Sequence, residues 1–111
     1  WLERNYQVDL AIEMLEKAHR KKSDDPYILD SIGWAYYLIG NYSKAEKFLK
    51  KAVQLMPNDP IVNDHYGDIL WRLDRKMQAK YHWLNVLKLE DTGQDMKDKI
   101  NFKLLKGPKK I

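Results

Sequence analysis

The 111-residue chain contains no cysteine, which excludes disulfides and thiolate metal sites but fits a reducing or an oxidising compartment equally well. It has no apolar run near the roughly 18 residues needed to cross a bilayer. Its start lacks the charged, apolar and small-residue segments of a signal peptide, so targeting is unreadable. There is no H-E-x-x-H, no G-x-x-x-x-G-K-[ST] and no serine or cysteine nucleophile arrangement, which removes the chemistries those motifs carry. Glycine and proline are scarce, at five and four, so each asks for a positional reason. What is present is 44% hydrophobic and 32% charged, the composition of one small soluble domain. The chain opens on Trp1 in helix-like sequence rather than on methionine, and we expect it to be a fragment of something longer.

The net charge of +4 points toward nucleic acid until it is divided along the chain. Residues 95–111 hold six lysines (97, 99, 103, 106, 109 and 110) against Asp95 and Asp98, which is +4; the remaining fourteen basic and fourteen acidic residues cancel. The basic character belongs to the tail.

Gly33 recurs as Gly67, and the offset of 34 residues extends in both directions. Ala11, Ala45 and Ala79 align, as do Leu15, Leu49 and Trp83, and Ala18, Ala52 and Val86, while Asp25-Pro26 returns as Asp59-Pro60. So many small and large residues at one offset indicate a structural repeat. Asp25 can cap a helix whose first residue, Pro26, lacks an N–H that would be unsatisfied anyway, and Gly40 can end that helix in a left-handed turn. This predicts a helix over roughly 27–39. Ser43-Lys44-Ala45-Glu46 has the pattern of a capping box opening a second helix that stops near Met56, before Pro57. The next unit predicts helices from Pro60 to about Leu73 and from about Met77 to Leu89. Leu29, Ile32, Gly33 and Tyr36 share one stripe, and Ala45, Leu49, Ala52 and Val53 share another. Gly33 and Gly67 are expected where a neighbouring helix presses on the backbone, the lost helix propensity being offset by packing.

Leu29-x-x-Ile32-Gly33-x-x-Tyr36, then Ala45-x-x-x-Leu49-x-x-Ala52 and Pro57, resembles the tetratricopeptide repeat. In the second match Tyr66, Leu70 and Asp91 take the leucine, tyrosine and proline places, while Gly67, Ala79 and Trp83 hold. The wording from Asp30 to Glu90 is similar to the C-terminal repeats of longer tetratricopeptide proteins of alphaproteobacteria, which implies a bacterial cytoplasm or periplasm. The resemblance implies an all-α, right-handed superhelix of helical hairpins. Residues 1–25 are expected to be the remainder of a repeat with Ala11 and Ala18 in its second helix, 26–59 and 60–91 full repeats, 92–105 a capping helix and 106–111 a basic tail. Met96, Ile100 and Leu104 give the capping helix its apolar face. The N-terminal side has no such cap, so apolar surface around Trp1, Ile12 and Leu15 is expected to support self-association.

Ligands of this family usually lie on the concave face formed by the first helix of each hairpin. Register transfer places Tyr27, Asp30, Ser31, Trp34, Tyr37 and Leu38 there from one repeat, and Ile61, Asp64, His65, Asp68, Trp71 and Arg72 from the next. Carboxylates and aromatics in that array suit a peptide with basic and apolar side chains; the same residues also serve if Trp34 and Tyr37 pack against the preceding repeat and the acids are solvated. Some members bind a chaperone's C-terminal carboxylate through Lys, Asn and Arg on this face. Here Asp30, Trp34, Asp64 and Asp68 occupy those places, and three aspartates repel an acidic end. Asp64, His65, Asp68 and His82 are types that hold metals or move protons, but no motif accompanies them, and neither cofactor, metal nor catalysis is expected. His19 beside Arg20, Lys21 and Lys22 reads as a solvated helix end. The expected function is a protein–protein interaction scaffold; the competing reading is nucleic-acid or anionic-surface binding through the lysine-rich tail.

Overall fold

The computed structural model describes residues 2–90 and 92–108, with side chains from Gln7 onward. It consists of six helices and, among the described residues, no strand: α1 Leu2–Lys21, α2 Pro26–Leu38, α3 Tyr42–Leu55, α4 Pro60–Arg72, α5 Lys76–Lys88 and α6 Gln94–Lys106. Trp1, Asp91, Lys109 and Lys110, on which parts of the sequence reading fall, lie outside the described residues.

The helix starts follow from local chemistry. Asp25 and Asp59 each turn a carboxylate onto the two free N–H groups behind a first-position proline, Tyr27 and Ile28 in α2, Ile61 and Val62 in α4. Gly40 has φ 86° and Gly107 φ 78°, and each follows the last turn of its helix. Asp74 holds the place of Gly40 one repeat later and adopts φ 61°, a conformation in which aspartate is among the few tolerated side chains. The start of α3 differs from expectation. Asn41, not Ser43, is the cap, its side chain accepting from the Lys44 N–H. Glu46 does not reach back to close a capping box; it accepts from the Tyr66 hydroxyl at 2.9 Å and lies 3.7 Å from Arg75.

The helices stack in chain order. α2 with α3 and α4 with α5 form antiparallel hairpins, α1, α3 and α5 each pack on the next helix, and α2 touches α4, so the first helices line one side of a superhelical stack. The glycines sit where the hairpins are tightest. A Cβ on Gly33 would collide with the Leu49 side chain and lie 3.2 Å from the Ala45 carbonyl oxygen; one on Gly67 would lie 2.7 Å from Trp83 Cδ1. Leu49 and Trp83, aligned at the 34-residue offset, are both fully buried. The second repeat also exchanges an apolar pair for a polar one. Leu29 and Phe48 become Asn63 and His82, and Asn63 gives its amide to the Pro57 and Asp59 carbonyls while its oxygen accepts from His82 Nδ1–H at 3.0 Å. Burial holds the His82 pKa below its ordinary value.

Candidate functional site

The sequence-predicted face separates into two halves of different chemistry. In the N-terminal half, His65 Nδ1–H of α4 donates to Asp30 Oδ1 of α2 at 2.8 Å, and its ring stacks on Trp34 with centroids 4.1 Å apart. Trp34 in turn stacks on Tyr37 at 4.6 Å. Tyr37 is buried, and its hydroxyl accepts from Arg72 Nε at 3.2 Å. Burial pushes the Tyr37 pKa up, opposed by the Arg72 hydrogen bond. Asp30, His65, Trp34, Tyr37 and Arg72 thus form one ladder tying α2 to α4, with stacked rings as its rungs.

Beside that ladder lies a pocket of about 380 Å³, lined by Gln7, Val8, Ala11 and Leu15 of α1, by Asp30, Ser31, Trp34, Ala35 and Leu38 of α2, and by His65. Its walls are chiefly apolar, with the Asp30 carboxylate and the His65 ring on one side. The α1 contribution was not included in the sequence-derived face. Its apolar residues Val8, Ala11 and Leu15 recur at helical spacing, which was the available signal. Tyr27 and Ile61 stand exposed at the first turns of α2 and α4 and do not line the pocket.

In the C-terminal half the acids are not solvated. Asp64 and Asp68 are 2% and 4% exposed, and Lys103 of α6, itself 6% exposed, lies between them. Lys103 Nζ is 2.7 Å from Asp64 Oδ1, 3.0 Å from Asp68 Oδ1 and 3.1 Å from Asp68 Oδ2. Lys99 Nζ stands 3.9 Å from the other Asp64 oxygen. Burial pushes Asp68 up to about 6 from 3.8, helped by the Asp64 charge and opposed by Lys103. The reading in which the groove acids are solvated is therefore corrected for Asp64 and Asp68. Lys103 occupies the register that holds Ala35 and Ile69 in the two preceding repeats, both buried, and two aspartates opposite make a lysine tolerable there. Trp71 packs against Trp83, carries Lys76 over its ring and touches Gly107, so it closes the end of α6.

Asp64 and Asp68 engage Lys103, His65 engages Asp30 and His82 engages Asn63. The two aspartates share Lys103 while each histidine is held by a separate partner, and no group of three His, Asp or Glu able to hold a metal occurs among the described residues. No helix among the described residues is long and apolar enough to cross a membrane.

The comparisons agree with this architecture. Residues 26–59 match the tetratricopeptide repeat family model. A TPR repeat-containing protein of Pseudomonas aeruginosa is 45% identical over 58 residues, which are 52% of this chain and 10% of that protein. The chain spans about a tenth of the length of the curated relatives it matches. Among solved structures, the first TPR of Spaghetti (RPAP3), bound to the HSP90 peptide SRMEEVD, superposes with a TM-score of 0.77 at 20% identity, covering 89% of this chain and 79% of that one. A thermophilic TPR protein of Thermus thermophilus gives 0.78 at 22% identity, covering 88% and 50%.

Proposed function

We propose that this chain, which belongs to the tetratricopeptide repeat family, works as a protein–protein interaction scaffold without chemistry of its own, and that its recognition surface is the N-terminal half of the concave face. The observation that carries this is the α1–α2 pocket, an apolar cavity beside one carboxylate and a stacked Trp–His pair. Such a pocket takes an apolar anchor side chain from a partner segment and favours a neighbouring Lys or Arg next to Asp30.

The acidic peptide of the Spaghetti structure belongs to that protein. Here the corresponding face presents Asp30, while Asp64 and Asp68 are consumed by Lys103, so the pocket's described lining offers an acidic C-terminus a carboxylate and no Lys or Arg. Under the capping reading, α6 supplies the counter-charge of the last repeat from within the chain. Of the six lysines in 95–111 that favour the tail reading, Lys103 is buried and Lys99 faces Asp64.

Selection of a random peptide library on the domain tests the proposal. Apolar anchors flanked by Lys or Arg are expected, with binding lost in Ser31→Trp, which fills the pocket from its exposed lip and removes no core contact. Peptides insensitive to Ser31→Trp, or retention of only nucleic acid in a strongly salt-dependent manner, would sink this reading.

A further inference from the structure

The outward face of α5 breaks the pattern set by the other second helices. In α3 the residues pointing away from the core include Ser43, Lys47 and Lys50, all exposed. One repeat later the same register holds Met77, Tyr81 and Leu84, exposed to 82%, 62% and 47%. They are spaced i, i+4, i+7, so they form a single stripe opposite the buried Ala79, Trp83 and Val86. Isolated exposed apolar residues are ordinary, but a helix apolar on both faces is not the form of a helix solvated on one. Nor does further stacking account for the stripe. Ser43, Lys47 and Lys50 stay exposed although α4 and α5 follow them, so the register faces outward even inside the stack.

The charge beside the stripe has one sign. α5 has no carboxylate, Lys80 and Lys88 lie along the stripe and, among the described residues, neither pairs with an acid, while Lys76 lies over the Trp71 ring. We propose that the convex face of α5 is a second docking surface, separate from the concave pocket, for an amphipathic helix of a partner protein with aliphatic residues at i, i+4, i+7 and acidic flanks. A stripe of this spacing runs about 10 Å along the helix, and an opposing helix matches it by interdigitating its own apolar ridge. The lysines select acidic flanks and penalise basic ones.

Fluorescence anisotropy with two synthetic helical peptides tests this. Both carry leucine at i, i+4, i+7; one has glutamate at the flanking positions and the other lysine. The glutamate peptide is expected to bind at least about tenfold more tightly. Met77→Ser/Tyr81→Lys/Leu84→Lys, which copies the α3 surface onto α5, is expected to abolish binding while the thermal unfolding curve stays in place. Lys80→Glu/Lys88→Glu is expected to invert the peptide preference and leave the apolar stripe intact, so the proposal does not depend on the triple variant folding. Equal affinity for both peptides, or binding unchanged in the triple variant, overturns it. So does capture of phosphatidylserine vesicles without peptide binding, which assigns the stripe to an anionic membrane, or stripe-dependent dimerisation in sedimentation, which assigns it to a second copy.

Discussion

Replacing Lys103 by methionine tests the account of the C-terminal half most directly. The substitution keeps the aliphatic stem, which packs where Ile69 and Ala35 pack in earlier repeats, and removes only the ammonium group held 2.7 Å from Asp64 and 3.0 Å from Asp68. Two carboxylates then remain in a site less than a twentieth exposed, with Lys99 at 3.9 Å as the remaining cation of that cluster. Breaking a buried ion pair from one side costs about 3–5 kcal/mol, a large share of the roughly 5–15 kcal/mol that holds a domain folded. The cost has a pH signature. Asp68 has a folded pKa of about 6 against an ordinary 3.8, so its favourable contribution is fully present below the unfolded value and is lost as pH rises through the folded one. In the wild type that window is about pH 4–6, worth on the order of 3 kcal/mol. Without Lys103, which lowers it, the folded pKa climbs and the window extends upward. Urea denaturation followed by circular dichroism, at about pH 5 and about pH 7.5, is the assay. The variant's deficit should be largest at the higher pH, shrink on acidification, and largely vanish in Lys103→Met/Asp64→Asn/Asp68→Asn. A deficit below about 1 kcal/mol at the higher pH, or one independent of pH, would refute the reasoning.

Four further outcomes follow from the same packing. Gly67→Ala should destabilise by about 1–3 kcal/mol and by more than Gly33→Ala, because the new methyl meets the buried Trp83 ring rather than a rotatable leucine end; thermal unfolding of both variants decides it. Asp74→Gly should raise stability by about 0.5–1 kcal/mol by relieving the left-handed residue, measured by the urea midpoint; a lowered midpoint would show that the aspartate side chain contributes more than its backbone costs. The peptide SRMEEVD should give no calorimetric binding signal, since the carboxylate places carry Asp30, Trp34, Asp64 and Asp68; micromolar binding would mean that Lys99 and Lys103 turn outward. Trp34→Ala should weaken selected pocket peptides by about 1 kcal/mol or more in fluorescence titration while α4 stays docked through Asp30–His65 and Tyr37–Arg72.

Much of the stack was legible because it is written locally. Asp25-Pro26 and Asp59-Pro60 mark helix starts by a mechanism that needs no tertiary context, and Gly40 marks an end. The close approaches at Gly33 and Gly67 were readable from the recurrence of glycine on an apolar stripe, and the residues that press on them are Leu49 and Trp83. Where the reading went astray, a tertiary partner outcompeted a local one. Glu46 fits a capping box by spacing, but the Tyr66 hydroxyl of the next helix reaches it, much as Glu16 takes the Tyr36 hydroxyl and helps push that phenol up to about 12. Register put Asp30, Asp64 and Asp68 on one face of the first helices, but register alone does not say whether that face meets solvent or another helix.

Lys103 shows what was missed and how the sequence carried it. Counted at the repeat's own period, position 103 follows Ala35 and Ile69, so a core position had been given a lysine. A lysine at a core register is improbable unless a partner is supplied. At the same period Asp30 is kept as Asp64 and Trp34 becomes Asp68, so the repeat that precedes Lys103 already carries two aspartates on the face it meets. The same logic applies to Leu29 and Phe48, which change together into Asn63 and His82, and the Asn63–His82 hydrogen bond is the outcome. Met77, Tyr81 and Leu84 are the converse case, apolar residues at a register that is charged or small in α3, and all three stay exposed among the described residues. In a repeat protein the informative positions are therefore those where the period is kept and the chemistry is not. A compensated departure, such as Lys103, is part of the fold, and an uncompensated one, such as the α5 stripe, is where a partner is to be sought.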